Sequence, residues 1–191
     1  VKWIGPWVFN GIISAVFDPI ECSVIDAEGR VLGYKDGIVI QQILGGFVCA
    51  TRNMTNDRYD LFFIITNSTD NYSYQVKGEI NGTYSLTLSC TDAGGNTISF
   101  DATNIPTRAG SNHRYFVNWH SLQQGESGVE VWVDQNGDGS YESKFWSDAE
   151  LTASEFEKAT ADTTPPSTIH NYDGLWHTAD FTISFAATDD P

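Results

Sequence analysis

The stretch Asp134-Gln135-Asn136-Gly137-Asp138-Gly139-Ser140-Tyr141-Glu142 constrains this chain more than any other. Oxygen-bearing side chains fall at its first, third, fifth and ninth places, with Gly139 at the sixth. That is the front of an EF-hand-type loop, in which alternate residues bring hard oxygens to one cation and the glycine allows the sharp turn. Here β-patterned runs flank it in place of helices. Val129, Val131 and Val133 alternate with Glu130 and Trp132 before the loop, and Ser143 and Phe145 alternate with Lys144 and Trp146 after it. The loop is therefore expected at the tip of a hairpin. Pairing Val133 with Tyr141 puts Val129, Val131 and Val133 on one face with Phe145, Ser143 and Tyr141. Glu130 then faces Lys144 as a favourable cross-strand charge pair.

Calcium is the expected cofactor. Asp134, Asn136 and Asp138 are expected to ligate through side chains, Ser140 through its carbonyl, and Glu142 through its carboxylate, directly or by way of a water. The twelfth place holds Phe145 where an EF-hand has a bidentate Glu, so Asp148 or a distant carboxylate is needed to complete the shell. Such an ion is structural.

The rest of the chain also reads as β. Asn10-Gly11 between Trp3–Phe9 and Ile12–Phe17 is a hairpin signal, and Asn81-Gly82 repeats it between Tyr74–Ile80 and Thr83–Ser89. Tyr84, Leu86 and Leu88 alternate with Ser85, Thr87 and Ser89 as in a half-buried strand. Leu61–Thr66 is a short apolar run, expected as a fully buried strand. Capping-box patterns at Ser147-x-x-Glu150 and Thr152-x-x-Glu155 predict one or two short helical turns across 147–159. Another turn is expected over Asn118–Gln124, after a strand at Arg114–Val117. The fold class is all-β: an antiparallel β-sandwich, jelly-roll or Ig-like. Its expected organisation is an N-terminal hairpin over 1–17, the calcium-binding sandwich over 18–158, a stiff Thr/Pro linker over 159–168, and a tail over 169–191. In that tail Phe181, Ile183 and Phe185 mark one isolated strand, a candidate for donation to a neighbour's sheet.

Charge narrows the partners. The 191 residues carry 25 acidic and 10 basic side chains, a net −15. Nucleic acid and anionic membrane surfaces are excluded as partners, because both require positive charge. No apolar run is long enough to span a bilayer. Sequons at Asn53, Asn67, Asn71 and Asn81 point to a glycosylated protein of the cell exterior. Cys22, Cys49 and Cys90 have no close-spaced partners; in that compartment one disulfide and one remaining thiol are expected, with the pairing open. The chain has no initiator Met and is read as a mature or excised product.

Catalysis has no foothold. There is no Gly-x-Ser-x-Gly elbow, and His113, His120, His170 and His177 lack zinc spacing, so they are expected as surface or packing residues. Trp132 and Trp146 share the outer face of the expected hairpin, a candidate glycan-stacking platform.

Two resemblances add to this. Residues 20–157 resemble a β-rich accessory domain of secreted archaeal and bacterial proteins. The matching residues are Cys22-Ser-Val-Ile-Asp-Ala-Glu-Gly-Arg30, Asn67-Ser-Thr-Asp-Asn-Tyr-Ser-Tyr74, Gly82-Thr-Tyr-Ser-Leu-Thr-Leu88, Ala102-Thr-Asn-Ile-Pro-Thr107, His113-Arg-Tyr115 and the Asp134–Glu142 loop, followed by Ser147-Asp148 and Glu155-Phe156. Residues 162–190 resemble the opening of a bacterial Ig-like surface repeat, through Asp162-Thr-Thr-Pro-Pro166, Asp173-Gly-Leu-Trp-His177 and Asp180-Phe-Thr-Ile-Ser184. The resemblances imply secretion, modular construction, and roles in display or assembly. The expected function is a non-catalytic extracellular structural subunit. It self-associates head to tail into a surface filament or layer. The alternative is an accessory module, for spacing or carbohydrate binding, cut from a larger secreted hydrolase or adhesin.

Overall fold

Alternation in the sequence becomes inside and outside in the structure. Tyr84, Leu86, Leu88 and Cys90 are buried, while Ser85, Thr87 and Ser89 between them are half-buried. The computed structural model describes residues 11–18, 21–35, 38–53, 58–68, 72–92, 94–161, 167–170 and 185–188. The chain divides into two units, Val1–Ala159 and Thr160–Pro191.

The first unit begins with strands β1 (Gly11–Asp18), β2 (Glu21–Ile25), β3 (Val31–Lys35), β4 (Ile38–Gln41), β5 (Gly46–Asn53) and β6 (Arg58–Ser68). It continues through β7 (Ser73–Lys77), β8 (Gly82–Thr91), β9 (Thr97–Thr107) and β10 (Asn112–Val117). Helix α1 (Trp119–Gln123), strands β11 (Val129–Asp134), β12 (Ser143–Ser147) and β13 (Glu150–Thr152), and helix α2 (Ala153–Thr160) complete the order.

Two sheets form from these strands, one in the order β13-β9-β8-β1-β6-β5 and the other in the order β12-β11-β10-β7-β2-β3-β4. All pairings are antiparallel except β13 with β9. The protein is an all-β sandwich. Leu61, Phe63, Ile65, Leu86, Leu88 and Phe100 of the first sheet share one core with Val24, Leu32, Tyr74, Tyr115, Val129 and Val131 of the second.

The two helices are short and begin with caps. Asn118 Oδ1 accepts the Ser121 N–H at the start of α1. Thr152 and Glu155 form a reciprocal capping box before α2: Thr152 N–H donates to Glu155 Oε2 at 2.9 Å, and Glu155 N–H donates to Thr152 Oγ1 at 3.3 Å. Ser147-x-x-Glu150 does not start a helix. Ser147 Oγ donates to the Glu150 carbonyl at 3.0 Å, and Glu150 opens β13.

The structure differs from expectation at four further places. β1 is no separate hairpin: it lies between β6 and β8 with both edges paired, inside the sandwich. Its expected partner Trp3–Phe9 lies outside the described residues. Asn81-Gly82 does not join a hairpin either, because β7 and β8 belong to different sheets. A type I′ turn needs positive φ at both central residues, and neither Asn81 nor Gly82 has it. The 61–66 run buries Leu61, Phe63 and Ile65 but exposes Ile64, so one face of β6 meets solvent.

The fourth difference lies in the second unit, where β14 (Ser167–His170) pairs antiparallel with β15 (Phe185–Thr188), Phe185 opposite His170. A strand alone leaves its N–H and C=O groups unpaired along both edges, and β14 fills one of those edges. Phe185 is thus part of a paired strand where an isolated one is expected. Phe181 and Ile183 lie outside the described residues.

Candidate metal centre

The loop from Asp134 to Glu142 joins β11 to β12. Register places Val133 opposite Ser143, Val131 opposite Phe145 and Val129 opposite Ser147. This is two residues from the expected pairing, so the connection is longer than a tight turn. Because side chains alternate with period two, a shift of two keeps every residue on its face and changes only its partner. Lys144 accordingly lies opposite Trp132, and Glu130 opposite Trp146; the expected Glu130–Lys144 pair does not form across the ladder.

Asp134, Asp138 and Glu142 each bring a carboxylate oxygen to within 4.8 Å of the others. Two oxygens bound to one calcium at about 2.3–2.6 Å lie no more than about 5 Å apart. The spacing is near what one cation requires, and the three carboxylates form a cluster that could hold a metal ion. Asp134 is 1% exposed, whereas Asp138 and Glu142 face solvent. One acid thus anchors the site from below and two close it from outside.

The backbone follows from the loop's own acceptors. Asp134 Oδ1 accepts the Gly137 N–H at 2.6 Å and its Oδ2 accepts the Gly139 N–H at 3.0 Å. Asn136 Oδ1 accepts the Asp138 N–H at 2.8 Å, and Asp138 Oδ1 accepts the Ser140 N–H at 2.7 Å. Glu142 Oε2 closes the ring on the Gln135 N–H at 2.9 Å. The hydrogen bond from the Ser140 N–H holds the Asp138 carboxyl below the usual carboxylate range, which keeps it charged for a cation. Gly137 and Gly139 have φ of +77° and +93°.

Gly137 is further confined by the β9–β10 turn: a Cβ there would stand 2.3 Å from the Gly110 carbonyl oxygen. Gly137→Ala is expected to destabilise the fold by at least about 1–2 kcal/mol from the left-handed φ alone, with the clash adding to this. An unchanged midpoint in urea denaturation would show that the loop does not hold this backbone.

The other expected site residues are dispersed. Phe145 at the twelfth place packs edge-on against Phe156 with ring centroids 6.0 Å apart, which excludes it from the shell. Asp148 Oδ1 accepts the Glu150 N–H at 3.0 Å. Trp146 is 58% exposed, but Trp132 is half-buried, with Lys144 Nζ 4.0 Å from its ring centroid. Lys144 therefore covers one face of the expected platform. Asn81 is exposed, with its Oδ1 accepting the Ala109 N–H at 3.2 Å. Asn53 and Asn67 lie on β5 and β6, and Asn71 lies outside the described residues. Cys22, Cys49 and Cys90 are all free thiols, Cys49 exposed and the other two buried. Burial pushes the Cys22 and Cys90 thiols up, away from the reactive thiolate.

Sequence reasoning passed over one buried polar group, a cluster centred on Tyr84. Its hydroxyl bonds His113 Nδ1 at 2.8 Å and also the Tyr115 hydroxyl, inside the core. His113 alternates with buried Tyr115 on β10 and with buried Ser111 just before it, and that alternation was the available signal. No protein-family model, curated protein or solved structure matches the chain, so its function has to be read from this geometry.

Proposed function

We propose that this chain is a non-catalytic structural protein of the cell exterior, a self-associating β-sandwich braced by calcium. The convergence of Asp134, Asp138 and Glu142 carries the reading. Three like charges held this close weaken the hairpin, and a divalent cation reverses that by binding all three. The bound ion would stiffen the β11–β12 end of the seven-stranded sheet without an open position for chemistry.

Self-association is supported at the opposite edges of both sheets. Edge strand β4 exposes Ile38 and Val39, edge strand β5 exposes Phe47, and Leu44 in the turn between them is 90% exposed. Apolar residues gathered at sheet edges that no other strand among the described residues pairs with mark a contact. Asn81, exposed beside the start of β8, supports glycosylation and hence secretion.

The test is negative-stain electron microscopy of native material with and without a calcium chelator. Regular fibres or sheets that disperse on chelation are expected. Monomer-sized particles in both conditions would instead favour a second reading, an accessory module of a larger secreted protein. That reading draws support from the small separate unit Thr160–Pro191, which follows the sandwich in the sequence.

A further inference from the structure

The outward face of β10, β11 and β12 carries groups that neither the core nor the metal loop uses. Register sets Arg114 opposite Trp132 and Trp132 opposite Lys144 in one row. In the next row Phe116 lies opposite Glu130, and Glu130 opposite Trp146. Tyr115 and Val131, between these residues along their strands, belong to the core, so both rows share the other side of the sheet. Rings meet on this face. Trp132 contacts Phe116 and Tyr141, at centroid distances of 4.9 and 5.4 Å. Trp146 adds a flat side chain that is 58% exposed.

The charge here runs against the rest of the chain. The protein carries a net −15, but these two rows hold the cations Arg114 and Lys144 against the single acid Glu130. Among the described residues neither cation forms an ion pair. Lys144 Nζ rests 4.0 Å from the Trp132 ring centroid, and the Arg114 guanidinium carbon stands 5.9 Å from that of Tyr141. Two donors are also left over: Arg114 Nε and Trp132 Nε1 are buried with no hydrogen-bond partner among the described residues. Buried polar groups almost always find partners, and a donor left without one is costly. These two belong to residues on a single rung of the ladder, and both lack an acceptor. A carboxylate offers two accepting oxygens and matches the fork of a guanidinium. Lys144 has a long stem that lets its ammonium swing from the Trp132 ring onto an incoming anion.

We infer that this face binds an acidic glycan, a chain of sugars bearing carboxylates. A carboxylate takes the Arg114 and Trp132 donors with Lys144 beside it, a sugar ring lies against Trp146, and Glu130 accepts from sugar hydroxyls. Arg114 and Lys144 are two strand spacings apart, about 10 Å, which gives the face the footprint of a short oligosaccharide. Attachment is confined to this patch, because the protein as a whole repels polyanions. A neutral sugar cannot replace the anion, since nothing then draws Lys144 away from Trp132. The inference depends on neither the calcium nor the self-assembly reading.

Calorimetric titration of the full chain at low salt, read in parallel by tryptophan fluorescence, tests it. The probes are an oligogalacturonate, the same oligosaccharide with its carboxyls reduced to alcohols, and an oligoglutamate of equal charge. The oligogalacturonate is expected to bind, more weakly as salt is added, and the other two are not. Lys144→Gln and Trp146→Ala change exposed side chains and should each weaken binding about tenfold. Arg114→Gln should weaken it at least as much. Equal binding of the reduced oligosaccharide would make the face a neutral stacking surface and overturn the role of the carboxylate. Equal binding of the oligoglutamate would make it a site for acidic polypeptide and overturn the glycan. No response to the oligogalacturonate, or an affinity unchanged in both Lys144→Gln and Trp146→Ala, overturns the site itself.

Discussion

Asp134→Ala is expected to abolish the calcium-dependent part of this protein's thermal stability. An ion present at a hundredfold excess over its dissociation constant stabilises the folded state by about 2.7 kcal/mol. For a unit of this size each kcal/mol shifts the melting temperature by about 2–4 °C, so calcium should raise the wild type by about 5–10 °C. Asp134 is the member that the loop can least replace. It is the buried carboxylate of the three, and it also accepts the Gly137 and Gly139 N–H groups. The variant should therefore melt below the wild type even in chelator, because those two donors lose their acceptor. Asn136→Ala, which removes an exposed side chain bonded to Asp138 and no carboxylate, should retain part of the calcium response. Scanning calorimetry with calcium and with chelator reads all three proteins. Identical wild-type melting in both conditions would end the metal assignment.

The clustering of acids was legible because oxygen-bearing Asp134, Asn136 and Asp138 alternate with Gly137 and Gly139 in a tight polar loop, and Asp134, Asp138 and Glu142 do draw together there. The ladder beneath it was less legible. Alternation along 129–133 and 143–147 identifies faces, and any shift by an even number of residues preserves them. Val133 opposite Tyr141 and Val133 opposite Ser143 are thus equally consistent with the pattern, and only the length taken up by the turns of the loop separates them.

A different limit applies to Asn81-Gly82. Its local chemistry favours a hairpin, but β7 has both edges taken by β2 and β10, and β8 has both taken by β1 and β9. Pairing across the whole sandwich outweighs one turn preference. The all-β class survives such errors because it depends on the number of short alternating runs and not on which run pairs with which. The placement of β1 shows this most sharply: its sequence reads as a strand, but nothing local to it says that its partners lie at 61–68 and 85–91.

The second large effect is a loss of stability in mild acid, driven by His113. The ring is 2% exposed, stacked near Phe156 with centroids 5.0 Å apart, and its Nδ1 meets the Tyr84 hydroxyl. Burial pushes its pKa down from 6.5 to about 4. The unfolded chain therefore takes up this proton first as the pH falls, and stability is lost progressively between about pH 6.5 and 4 and is level above that window. At about 1.4 kcal/mol per unit the whole window is worth about 3 kcal/mol, comparable to the calcium contribution. Asp26, Asp92, Asp138 and Glu155 also have lowered pKa values and also stabilise at higher pH, but they give up that contribution only as the pH falls through the carboxylate range. Urea titrations in chelator across pH 4–8 isolate the histidine from the metal loop. His113→Gln cannot titrate and keeps an acceptor for Tyr84, so its stability should be nearly flat from pH 6.5 to 4.5 even if its value at pH 8 is lower. A slope in this variant equal to the wild type's would assign the acid sensitivity to another group.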